Sequence, residues 1–208
     1  METKQKTMIF LLVGTIFALL TLFLFFCYSY FRVSNTPCNS FGWLLWDHSS
    51  LNKWDESQFL LTLSLFFGFI FSLSFRVVMM DQLPTMMNEA TIILIILKSL
   101  SLFTALFYSF NQNSLFFFIL NGLVVILSIF TYFIFSLLFK KLRLSFFTSV
   151  VPFFCFGYSV FSFLILALAP SFDPAYIQIT SNVLELLFIL YLGYMMWKIK
   201  KTVQDRII

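Results

Sequence analysis

Residues 84–110 read PTMMNEATIILIILKSLSLFTALFYSF, a run long and apolar enough to cross a bilayer, and Lys98 sits near its middle. At the centre of a spanning helix a lysine costs about 2.5–3.5 kcal/mol on insertion scales. Ile92, Ile93, Leu94, Ile95, Ile96 and Leu97, which lead into it, outweigh that penalty. The lysine itself must turn toward protein or water. One stretch therefore demands both a lipid solvent and a polar interior.

Composition points the same way. Of the 208 residues, 61% are hydrophobic and 11% charged, where a soluble domain carries about 25% charged residues. No soluble fold of this length hides that much apolar side chain. The expected fold class is all-α: a polytopic transmembrane helical bundle, one integral membrane domain over 1–208, with no room for a separate soluble domain. Six spans are expected, at about 7–30, 57–75, 86–110, 115–139, 146–169 and 177–197. The 32 phenylalanines fit lipid-facing bulk, or the codon bias of an AT-rich genome.

The first run exceeds the about 7–15-residue apolar region of a cleavable signal peptide, and it ends in Phe25, Phe26, Cys27 and Tyr28 instead of small residues. It reads as a retained span. Residues 31–56 form the long outer loop. Trp43, Trp46 and Trp54 there suit the headgroup belt, and the pattern of Phe41, Leu44 and Leu45 with Trp43 and Trp46 suits a short helix on the membrane surface. Cys27 and Cys38 flank the start of this loop; two free thiols are expected, and pairing would need an oxidising compartment. After Arg76 a short loop is expected, with Asp81 as a helix cap and Pro84 in the first turn of the next span. The later connections are the uncharged turn 111–114, the basic stretch 140–143 and a turn with two prolines at 170–176.

Orientation follows from the basic residues. Of the 13 lysines and arginines, ten fall on the side of the termini: Lys4, Lys6, Arg76, Lys140, Lys141, Arg143, Lys198, Lys200, Lys201 and Arg206. The other side holds Arg32 and Lys53. This asymmetry places both termini in the cytoplasm and requires an even number of spans. A net charge of +4 placed at helix ends is no nucleic-acid signal. No N-x-S/T acceptor occurs, since Asn35-Thr36-Pro37 fails, and the expected location is a plasma membrane, bacterial by that absence.

Small and polar residues mark the packing faces. In the fifth span Ser145, Thr148, Pro152, Cys155, Ser159 and Ser162 recur at helical spacing, while Phe153, Phe154, Phe161 and Phe163 load the other faces. Weaker stripes run through Gly14, Ala18 and Thr21, and through Ser64, Gly68 and Ser72. Pro152 should loosen its helix.

The candidate ligand-binding residues are Lys98, Glu185, Asn121, Ser101 and Asn182. Ser101 and Ala105 share the Lys98 face of the third span, and Ser181 and Asn182 lie one turn from Glu185 on the sixth. Asn121 and Glu185 fall at similar depth, in the outer half. The flexible stem of Lys98 can reach about one turn toward them. A charge left unpaired there would be expensive. Two readings follow: a water-accessible polar site, or a buried pair that fixes helix arrangement and binds nothing. Glu89 and Arg76 lie near the inner interface, where snorkelling or a surface pair accounts for them.

Several chemistries lack their residues. The single histidine, His48, has no H-E-x-x-H context, and neither a G-x-S-x-G elbow nor a Walker loop occurs. No potassium-filter sequence is present. Asp47, His48, Asp55 and Glu56 lie in the outer loop without metal-ligand spacing. No enzyme activity, cofactor or metal is therefore expected. An inverted repeat of three spans each side of 111–114 would suit a carrier, but Lys98 and Glu185 do not correspond between the halves. The expected function is a small-molecule or ion carrier, or a ligand-binding membrane subunit. The alternative is a non-catalytic scaffold, or a sensor or complex subunit. The expected partners are the lipid bilayer, a small ligand, and a partner subunit or a second copy.

Overall fold

The computed structural model describes residues 2–35, 56–108, 115–141, 146–168 and 174–205; within these helices, some side chains near the ends lie outside the description. The described residues form six α-helices: α1 Glu2–Asn35, α2 Glu56–Gln82, α3 Pro84–Tyr108, α4 Leu115–Lys141, α5 Phe146–Leu168 and α6 Pro174–Asp205. Four of them hold a stretch long and apolar enough to span a membrane: Lys6–Tyr28, Phe59–Asp81, Met87–Leu106 and Gly122–Lys141. In α5 the described apolar stretch, Val150–Ser162, is shorter. Helix α1 has 34 residues, about 51 Å at 1.5 Å per residue, so it overruns an about 30 Å hydrocarbon core. The outer loop, with its three tryptophans, His48 and Cys38, lies outside the described residues.

Each helix packs on the next in chain order, and α6 returns against α1 and also touches α2. The result is a closed ring with α6 drawn inward. Expected small-residue stripes lie at the seams. Ala18 and Thr21 of α1 are buried, as are Ser64 and Ser72 of α2. A side chain on Gly14 would meet Ser74 Cβ at 3.0 Å and Met196 Cε at 3.1 Å, so α1, α2 and α6 converge where no Cβ exists. Ser64 Oγ crosses the α1–α2 seam to donate to the Thr21 carbonyl (3.1 Å). On α5, Cys155 and Ser162 are buried while Phe153, Phe154 and Phe161 point outward. The helix runs through Pro152 without ending.

The expected loop after Arg76 does not exist. Helix α2 continues to Gln82, only Leu83 is non-helical, and α3 starts at Pro84. Backbone bonds Leu83 N to Met79 O (2.7 Å) and Met87 N to Leu83 O (3.0 Å) carry the helical pattern up to and away from this corner. Pro84 fits because a first-turn residue needs no N–H partner. Asp81 lies in the last turn of α2 and is not a cap for α3; its carboxylate accepts from Thr7 Oγ1 (2.9 Å) on α1. Arg76 folds back onto α3, donating to Asn88 O (3.2 Å), Asn88 Oδ1 (2.9 Å) and Thr91 Oγ1 (3.1 Å). Its partners are therefore neutral groups of the next helix, and Glu89 is exposed.

Phenylalanine plays two parts. Twelve or so outward rings, such as Phe23, Phe26 and Phe130, are exposed, as lipid-facing residues should be. Others fill the ring's centre. Phe135 meets Phe75 (6.0 Å) and Phe188 (5.8 Å), and Phe139 meets Tyr191 (5.3 Å), all edge-on. These edge-to-face contacts suit the ring quadrupole and let α4 reach α2 and α6 across the interior.

Candidate functional site: a buried lysine, glutamate and tyrosine

The apolar core is split in two. A larger cluster holds Leu11, Ala18, Phe71, Phe75, Leu94 and Phe135 among others. A smaller one holds Phe25, Tyr28, Leu61, Leu65 and Ala105. On α1 the boundary falls at Thr21, and on α3 at Lys98 and Ser101, all buried. Polar groups thus form a layer between two greasy blocks.

Lys98 lies on α3, one turn beyond Leu94 and one turn before Ser101, with its side chain only 7% exposed. Its ammonium bonds Glu185 Oε1 on α6. The principal neighbours of α6 are α1, α2 and α5, so the lysine spans the interior of the ring to make this contact. The other carboxylate oxygen, Oε2, accepts the Tyr132 hydroxyl of α4 at 2.8 Å. Tyr132 in turn is held edge-on against Phe188 (4.7 Å), one turn along α6 from Glu185. Helix α5 adds Cys155, fully buried, whose sulfur lies 3.9 Å from the Leu184 carbonyl. Three helices therefore meet at one carboxylate, and α5 packs on the backbone beside it.

Accounting for donors and acceptors shows an imbalance. Both oxygens of Glu185 are engaged. An ammonium carries three N–H donors, and among the described residues Glu185 is the sole partner of Lys98. Ser101 spends its hydroxyl on the Leu97 carbonyl (2.8 Å) of its own helix. Ser162, about two turns from Cys155 on α5, is 3% exposed and its hydroxyl has no hydrogen-bond partner among the described residues. Glu185 is the more open member of the pair, its side chain 23% exposed.

Of the expected residues, the structure joins Lys98 to Glu185 and sets Ser101 one turn away. Asn121 belongs to α4 but stands about three turns, roughly 16 Å, from Tyr132 along the helix. Asn182 stands one turn before Glu185 on α6. The side chains of both lie outside the described residues. Tyr132 lies within the apolar stretch Gly122–Lys141 of α4. The sequence reading missed Tyr132 altogether. Its signal was a phenolic hydroxyl in mid-span, where tyrosine is out of its usual interfacial place. Among the described residues no three histidine, cysteine or acidic side chains gather as a metal would require.

Fold and site together define a helical membrane protein with a charged cluster inside it. No protein-family model, curated protein or solved structure matches the chain.

Proposed function

We propose that the protein is a six-span carrier, or a ligand-binding membrane subunit, whose ligand contacts the Lys98–Glu185–Tyr132 cluster. The observation that carries this reading is an ion pair kept inside a membrane bundle although apolar side chains would pack there at less desolvation cost. Ionisable groups at such depth mark ligand and proton paths more often than packing. The basic asymmetry supports cytoplasmic termini, and the missing N-x-S/T acceptor favours a bacterial plasma membrane. No catalytic role is assigned.

A scaffold role for the cluster has one observation in its favour: both Glu185 oxygens already hold donors. The two readings separate in proteoliposomes. Lys98→Met removes binding or transport from a folded protein if the cluster is a site. If the Lys98→Met/Glu185→Gln protein keeps full activity, the pair is structural and the ligand does not contact it; if the unmodified protein neither binds nor transports, the carrier reading is wrong.

A further inference from the structure

The Lys98 ammonium carries more donors than its one described partner uses. Two of the three Lys98 N–H bonds lack acceptors among the described residues. Each Glu185 oxygen already holds one donor. An anion finds N–H bonds waiting.

Charge then dictates what travels with it. The resting cluster is neutral, with one ammonium and one carboxylate. An anion entering alone would leave a net negative charge in a low-dielectric interior, where uncompensated charge is strongly disfavoured. One proton taken from water by Glu185 restores neutrality: ammonium, bound anion and neutral carboxylic acid. The Tyr132 hydroxyl can rotate to accept the new O–H or stay a donor to the carbonyl oxygen. Of the other packed elements, α5 brings the Cys155 thiol, and α1 and α2 bring Thr21 and Ser64 near this level. The charged groups described on α2, Arg76 and Asp81, stand at the α2–α3 corner, held by Asn88, Thr91 and Thr7.

We infer that the ligand is a small monovalent anion, a halide or monocarboxylate, bound at Lys98 together with one proton on Glu185. This rests on the carrier reading above and names its substrate class and coupling ion.

The test uses the full-length protein in liposomes with trapped pH dye and the voltage clamped by potassium and valinomycin. Chloride and lactate are the two probes, which separates the halide from the carboxylate source. An inward gradient of the accepted anion acidifies the lumen, and Lys98→Met lowers the rate at least tenfold. Glu185→Gln, a fixed mimic of the protonated acid, keeps anion-for-anion exchange and loses acidification. The Lys98→Met/Glu185→Gln protein, neutral throughout, moves neither probe and guards against misfolding of the single variant. Anion flux without acidification in the unmodified protein overturns the inference. So does Glu185→Gln that still acidifies. Uptake of methylammonium in place of either anion also overturns it while leaving the carrier reading standing. Absence of any flux or binding defeats both.

Discussion

Removing the lysine from its pair is the most informative perturbation of stability. In Lys98→Met the Glu185 carboxylate keeps only the Tyr132 hydroxyl, 2.8 Å away. Breaking a buried pair at one end costs about 3–5 kcal/mol. Glu185 retains 23% exposure of its side chain, so the low end, about 3 kcal/mol, is expected. For a chain of this size that corresponds to roughly 6–12 °C in the unfolding midpoint. Glu185→Gln strands the ammonium, which is only 7% exposed, and should cost about as much or more. Replacing both should return the protein to within about 1 kcal/mol of the original, because neither charge is then left alone. The cycle thus yields a coupling of about 5 kcal/mol. Tryptophan fluorescence during thermal unfolding in mild detergent reads it. Additive losses in the double variant would refute the pairing and the reasoning built on it.

Other outcomes follow from the same coordinates. Gly14→Val should destabilise by about 1–3 kcal/mol, because its Cβ meets Ser74 and Met196 near 3 Å, whereas Gly157→Ala, with open space around it, should stabilise by about 0.5–1 kcal/mol; paired melting curves check both. Arg76→Met removes three donated bonds across the α2–α3 corner and should cost about 1–2 kcal/mol, with faster hydrogen exchange confined to residues 79–91. In a cysteine-free background, Thr3→Cys and Gln204→Cys should both resist an impermeant maleimide applied outside intact cells, and labelling of either would refute the cytoplasmic placement of that end.

What hydropathy could convey, it conveyed. Helices sit where apolar runs were read, because backbone groups in lipid must bond within their own segment and leave few alternatives. The seams at Gly14, Ala18, Thr21, Ser64, Cys155 and Ser162 were legible too, since helical spacing fixes which residues share a face. The corner at Leu83 was misjudged. Arg76 and Asp81 looked like loop residues, yet each is satisfied from a neighbouring helix, Asp81 by Thr7 and Arg76 by Asn88 and Thr91, so the helix had no reason to stop.

Lys98 and Glu185 could be named from sequence as groups that meet, in one polar site or as one buried pair, but the Tyr132 hydroxyl on the second carboxylate oxygen could not. Periodicity orders residues around one axis and is silent on how six axes are arranged. That arrangement was decided by the close approach at Gly14 and by Phe135, Phe139 and Phe188 bridging the interior. Only once those contacts bring α6 inward do an amine, a carboxylate and a phenol from three distant stretches of chain share one point.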